Sequence, residues 1–316
     1  MLRVAVLASF CAVPSLGLRG PLPAAARAAA PRRASGLLDY TRPPPKLTLP
    51  GDTLETTAGQ RAYVGLAALA TAGVVAESLA RIDSPAVAAF AVLGGLGGAE
   101  LFSGAFHWAT DNYGSLETPI FGEACAAFQG HHLAPWTITY RPTANNVFKI
   151  CKAVAPLVLV AGFLAPPPLA LALALTFSGQ AVAQEFHKWA HVPPSAQPPL
   201  VRSLQRRGLA ISVAEHCRHH RSPYADKYCI LFGALNPLLD SSGAFRALER
   251  VVYERTGLEP NCWNEAPAGP AVRARALGLP PPPPAEDRAA ADPAPAIDLE
   301  PYLRAATRDA DLVEAG

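Results

Sequence analysis

The stretch PAVAAFAVLGGLGGAELFSGAFHWATD, residues 85–111, joins a long apolar run to a histidine and an aspartate four positions apart. From Pro85 to Phe106 the run carries a single charge, Glu100, and about 20 apolar residues are enough for a helix to cross the hydrocarbon of a bilayer. Glu100 falls near the end of this span, where water is expected within reach. Gly94, Gly95, Gly97 and Gly98 are expected to let a neighbouring helix approach closely, as small residues do in membranes. His107 and Asp111 lie one helical turn apart, so both can aim a ligand atom at one point. The stretch predicts a membrane helix that delivers metal ligands at its end.

Three more apolar segments follow the same logic, at about 62–80, 151–166 and 168–186. The last two are separated by Pro166-Pro167-Pro168, which cannot continue a helix, and read as a hairpin. The third is short and is expected to be tilted or re-entrant. Glu77, like Glu100, lies near a span end. Of 316 residues, 50% are hydrophobic and 16% charged, with mean hydropathy +0.17; a soluble domain would carry about 25% charged residues. The expected fold is therefore an all-α integral membrane protein with about four membrane-embedded helices. A net charge of only +2 argues against nucleic acid as a partner. Six cysteines without a C-x2-C pair indicate neither a zinc ribbon nor a disulfide scaffold.

All eight histidines fall between His107 and His220, in four groups: His107-x3-Asp111, His131-His132, His187-x3-His191 and His216-x2-His219-His220. Spacings of three and four put two or three rings on one helix face. Imidazole with a carboxylate favours iron-type coordination over thiolate zinc sites. Eight imidazoles and one carboxylate exceed what a single zinc needs, so two metals fit better. If all four segments cross, the second ends at His107 and the fourth at His187, and every histidine group meets at one membrane face. Cys217 is turned away from the face shared by His216, His219 and His220 and reads as a small filler.

Outside this region the chain changes character. Residues 1–38 hold five arginines and no acid, with an apolar run from Val4 to Val13, and read as a targeting leader. The pattern looks like the two-part address of plastids acquired by secondary endosymbiosis, against an ordinary secretory signal or a mitochondrial presequence. Residues 39–60, with Pro43-Pro44-Pro45 and Gly51, read as a surface linker, and residues 61–264 as one domain. A helical face of Phe245, Leu248 and Val252 is expected to stop near Gly257. Residues 265–316, with five prolines from Pro280 to Pro284, read as a disordered tail.

The segments Ser103–Gly114, Phe128-Gln129-Gly130-His131-His132, Pro135-Trp136-Thr137-Ile138-Thr139 and Ala144-Asn145-Asn146 together resemble the plastid phosphatidylglycerol desaturases that place a trans double bond at carbon three of palmitate. Gln184–His191, Glu215–Tyr224 and Tyr228-Cys229-Ile230 look like that family's remaining boxes. The resemblance covers about residues 60–264. The same superfamily includes the desaturases that form the vinyl ether of plasmalogens, whose second box generally carries a charge where Gln129-Gly130 stands here. The resemblance implies an O2-dependent lipid desaturase with two iron ions, a membrane phospholipid substrate, ferredoxin or a similar electron donor, and a plastid membrane location, with the endoplasmic reticulum as the alternative. It implies a ligand set of His107, Asp111, His131, His132, His187, His191, His216, His219 and His220. Glu185, Glu215 and Asn236 are weaker candidates for orienting a ligand, and a solvated or capping position suits them at least as well. Which ligand serves which iron is open.

Arg141, Lys149, Lys152, Arg206 and Arg207 lie near the membrane surface on or close to the histidine side. They suit a headgroup phosphate and equally an ordinary positive-inside topology. A plasmanyl ether-lipid desaturase and a di-iron lipid hydroxylase would use the same ligands. A divalent-metal transporter would place ligands near the bilayer midplane, whereas the span centres here are almost free of polar groups. A zinc hydrolase would leave five histidines idle.

Overall fold

The computed structural model describes residues 52–283. Its helices are α1 (Ala58–Ala80), α2 (Pro85–Asn112), α3 (Gly122–Leu133), α4 (Thr143–Leu164), α5 (Pro167–Ala190), α6 (Pro199–Arg206), α7 (Val213–His219), α8 (Asn236–Ser242), α9 (Ala244–Thr256), α10 (Asn261–Asn264) and α11 (Gly269–Leu277), with a 3-10 helix at Pro135–Tyr140. There is no strand among the described residues. Helices α1, α2, α4 and α5 are long and apolar enough to cross a membrane. This is the all-helical membrane architecture that the apolar segments predicted.

Local chemistry sets where the spans begin. Thr57 and Gln60 form a reciprocal capping box at α1. Ser84 caps α2 through its side chain, with Pro85 in the first turn, whereas α5 opens on prolines in its first turn without a side-chain cap. The third span differs from its expected extent. It runs 22 residues from Thr143 rather than starting at 151, so it needs no re-entrant geometry. An apolar-run reading misses its first two turns because they are polar. Asn146 donates to Gln184 O and Glu185 Oε2, Thr143 donates to Glu185 Oε1, and Asn145 donates to Thr53 O and Glu55 O.

Those last contacts also correct the linker. Asp52 and Thr53, expected on a surface linker, are docked. Arg141 Nη1 lies 2.9 Å from Asp52 Oδ1 and donates to Thr53 O. The carboxylate and the carbonyl supply acceptors that a free linker would leave to water. Residues 1–51, which include the leader, lie outside the described residues.

Helices α2 and α5 pack along their length, and α5 also packs against α1 and α4. Two of the four glycines allow the approach. A Cβ on Gly95 would stand 2.7 Å from Ala172 O, and one on Gly98 would stand 2.6 Å from Thr176 Oγ1, while Gly94 and Gly97 meet nothing within 4 Å. Gly95→Ala is expected to lower stability by about 1–3 kcal/mol through overpacking, and Gly94→Ala to leave it unchanged or raised. Thermal unfolding of the two variants in detergent checks this; equal midpoints would contradict it.

Segment 209–232 returns against the α2–α5 pair, where Ile211 and Leu231 join Leu96, Leu171, Leu175 and Phe186 in the main core. This return overturns the expectation for Glu100. Its side chain is 2% exposed and accepts from Phe232 N at 2.8 Å and Leu235 N at 3.4 Å. It serves as an internal anchor for the returning segment. Glu77 is exposed beside Arg81, as its position near a span end suggested.

The region read as tail holds a helix. In α11, Ala276 is buried, and Val272 and Leu277 pack around Cys262 and the fully buried Trp263. An Ala/Pro-rich composition conceals three apolar contacts on one face. The rest of that tail, from residue 284, lies outside the described residues.

Candidate metal centre

The ends of α2, α3, α5 and α7 converge beside the returning segment. His107 and Asp111 lie on the last two turns of α2, His131 and His132 close α3, and His187 and His191 end α5. His216 and His219 lie on α7, with His220 just after it. All nine predicted ligands meet here, and they fall into two groups: His131, His187, His191, His216 and His220; and His107, Asp111, His132 and His219. Within each group the ligand atoms lie within 4.8 Å of one another. Cys217 belongs to neither.

In the first group His191 Nε2 stands 2.8 Å from His131 Nε2, 2.8 Å from His216 Nε2 and 3.2 Å from His187 Nε2, and His216 Nε2 is 3.0 Å from His220 Nε2. In the second, Asp111 Oδ2 lies 3.2 Å from His107 Nε2, 3.4 Å from His219 Nε2 and 3.6 Å from His132 Nε2. The groups abut: the rings of His107 and His187 are 5.9 Å apart and those of His132 and His220 5.2 Å.

Protein chemistry alone does not satisfy this arrangement. Burial first, and then the neighbouring rings, hold His131, His132, His191, His216 and His220 well below the usual histidine pKa, so they are neutral. A neutral imidazole has one N–H, which His191 can share with only one of three facing nitrogens. His107 and His219 each direct Nδ1 at a backbone carbonyl, Tyr228 O at 2.9 Å and Asp226 O at 2.8 Å. In the neutral ring, with Nδ1–H donated there, Nε2 is left as a lone pair. His107 Nε2 and both Asp111 oxygens are buried without a hydrogen bond, an arrangement that folded proteins rarely tolerate unless the atoms bind something. Converging buried lone pairs and a carboxylate are what a pair of cations requires.

The supporting residues were partly missed. Nothing in a sequence marks Tyr228 O or Asp226 O as orienting acceptors, because any residue supplies a carbonyl. Asn236 is fully buried and grips Cys229 through both its N–H and its C=O, which fixes the turn that presents Tyr228 O to His107. Glu185 and Glu215 touch no ligand ring through a hydrogen bond. Glu185 binds Thr143, Asn146 and Lys188, and Glu215 pairs with Arg218 and Lys227.

The basic candidates divide. Arg141 is held by Asp52, and Lys149 lies 2.8 Å from Glu123. Lys152 lies over the Phe148 ring. Arg206 and Arg207 are exposed at the end of α6. A small cleft of about 60 Å³ opens beside Asp111 and His132, lined also by Asn112, Gln129, Tyr224 and Glu265.

Helical spans whose ends bring together two clusters of nitrogen and carboxylate ligands define a membrane protein with a His-rich metal site. Residues 97–263 match the lipid desaturase domain model, and the chain belongs to that family. It is 44% identical over 182 residues to "Fatty acid desaturase 4-like 1, chloroplastic" of Arabidopsis thaliana, covering 57% of this chain and 61% of that protein. It is 45% identical over 168 residues to "Fatty acid desaturase 4, chloroplastic" of the same plant, covering 53% and 52%. Plasmanylethanolamine desaturase of Myxococcus xanthus is 32% identical over 176 residues, covering 54% and 62%. The chain thus spans about half to three-fifths of the length of these relatives. No solved structure matches it.

Proposed function

We propose that the protein is an oxygen-dependent lipid desaturase that introduces a trans double bond near the carboxyl end of palmitate in phosphatidylglycerol. The observation that carries this reading is the convergence of nine ligand-capable side chains, in two abutting groups, at the ends of membrane-length helices. In this reading His131, His187, His191, His216 and His220 hold one iron, and His107, Asp111, His132 and His219 hold the other. The bound irons would supply the activation of dioxygen that an unactivated methylene pair requires. The reaction balances as –CH2–CH2– plus O2, two electrons and two protons giving –CH=CH– plus two waters. A ferredoxin-type donor supplies the electrons.

The protein's own residues contribute position and exclusion. Tyr228 O and Asp226 O fix the tautomers of His107 and His219, so that Nε2 faces inward. Burial of the ligand set keeps water from the oxidant. A site at the ends of spans, close to the headgroup layer, favours carbons near the ester over mid-chain carbons. The chloroplastic names of the relatives and the acid-free leader support a plastid membrane, with several membrane passes through α1, α2, α4 and α5. Lys152, Arg206 and Arg207 are exposed cations suited to a lipid phosphate; Arg141 and Lys149 have carboxylate partners already.

The vinyl-ether reaction also acts near a headgroup and is kept as the second reading because of the likeness to plasmanylethanolamine desaturase. Expression in a host that lacks both activities, followed by lipid mass spectrometry, separates the two. A trans-unsaturated palmitate on phosphatidylglycerol is expected. A vinyl ether with unchanged phosphatidylglycerol would overturn the first reading in favour of the second.

A further inference from the structure

Four phenylalanines form a continuous aromatic track from an exposed apolar surface to the candidate metal centre. Phe102 and Phe106 are stacked one turn apart on α2, with ring centres 6.1 Å apart. Phe106 meets Phe121 at 6.2 Å and Phe128 at 5.9 Å. Phe128 in turn lies 5.0 Å from the His107 ring and 6.5 Å from the His187 ring. Exposure falls along the track: Phe102 and Phe121 are 42% and 52% exposed, Phe106 and Phe128 are half-buried, and His107 is fully buried. Its outer end adjoins Leu101 and Ile120, which are 48% and 95% exposed.

Phe128 occupies a particular place in this arrangement. His107 belongs to one ligand group and His187 to the other, so a single ring borders both halves of the centre. On α3 it lies three and four residues before His131 and His132, on the face that carries them. The small cleft beside Asp111 and His132 mixes Asn112, Gln129 and Glu265 with Leu133, Pro223 and Tyr224, and the desolvation of its three polar groups would oppose a hydrocarbon chain. The aromatic track offers an apolar chain a wall of rings instead, and it ends at Phe128.

We propose that Phe128 is a specificity-determining residue: its ring stops the acyl chain at the junction of the two ligand groups and selects which carbons are presented, while Phe102, Phe106 and Phe121 guide the chain inward. The inference rests on the desaturase reading and adds the element that sets double-bond position. Removing the ring lengthens the path open to the chain, and because a misplacement of about one ångström can cost about 100-fold in rate, a small shift changes which methylene reacts fastest.

The test expresses the full chain with Phe128→Ala, Phe128→Leu or, as a control, Phe90→Ala in the host described above. Phe90 is 76% exposed on α2, the helix of Phe102 and His107, and 17 residues separate it from His107, about 25 Å of helix. Double-bond position, acyl-chain length and bound metal are measured together. At least one Phe128 variant is expected to retain metal and to give a second positional isomer displaced by one or two carbons, or a changed preference for chain length. The Phe90 variant should match the unaltered protein. Unchanged position and chain length in both Phe128 variants would overturn the proposal. Loss of metal in both would do so as well, because Phe128 would then be a wall of the centre and not a selector. If the unaltered chain makes no unsaturated lipid at all, the desaturase reading itself falls, an outcome visible before any variant is compared.

Discussion

Replacing His191 with alanine is expected to empty the first ligand group of its metal and to reduce lipid desaturation below detection, with the protein still inserted in the membrane. The reason is geometric. His191 Nε2 faces three other ring nitrogens at 2.8–3.2 Å, so it stands at the middle of the cluster. Losing an outer partner that merely orients a ligand costs roughly 10- to 100-fold in metal affinity or activity; losing a central ligand should exceed that. Folding should survive, because the ring's Nδ1 has no hydrogen-bond partner to forfeit and the α2–α5 interface lies elsewhere. Metal analysis of the purified protein, alongside lipid mass spectrometry, checks both halves. Retained metal with full activity would remove His191 from the ligand set, and a single metal ion in the unaltered protein would undo the two-group assignment.

The largest effect on stability is expected at Glu249, which no sequence pattern singled out. Its side chain is fully buried, pairs with Arg246 at 2.5 Å, and accepts from Trp263 Nε1 at 2.8 Å and Trp108 Nε1 at 3.2 Å. Glu249→Ala would strand a mostly buried guanidinium and two indole N–H groups, a change of the kind that costs about 3–5 kcal/mol. Glu249→Gln should recover part of this, since its carbonyl can still accept while the charge pair is lost. Because Trp108 adjoins His107, and Asn261 donates to Asp111 O at 2.7 Å, the loss should also loosen the end of α2 and lower metal retention. Unfolding midpoints in detergent for the three proteins test the order wild type, Gln, Ala. An alanine variant as stable as the wild type would show that the network contributes nothing.

Much of the architecture was legible from the chain because its causes are local. An apolar run of sufficient length must form a helix in a membrane, where no water can satisfy the backbone. Pro166-Pro167-Pro168 had to break the chain between two such runs. The spacing of His107 with Asp111, and of His187 with His191, places each pair on one face whatever else the protein does. Span parity alone brought the ends of α2 and α5 to the same side. Where the reading failed, polar groups were being satisfied at long range: the first turns of α4, the docked Asp52 and Thr53, and the buried Glu100 each depend on a partner tens of residues away or more. Composition likewise could not reveal α11, whose few apolar contacts matter only because Trp263 is there to receive them.

The sequence by itself determined the number of membrane-length helices, the helix break between the last two and the identity of the nine ligand-capable residues, since hydrophobic length, proline and helical periodicity act within a single segment. Only the tertiary structure divided those nine into two groups, paired His107 and His219 with backbone carbonyls, gave Asn236 its hold on the Tyr228 turn, and set Phe128 against both halves of the centre. These are relations between segments that meet only after the chain has packed, and they involve backbone atoms and shared neighbours that residue type does not encode.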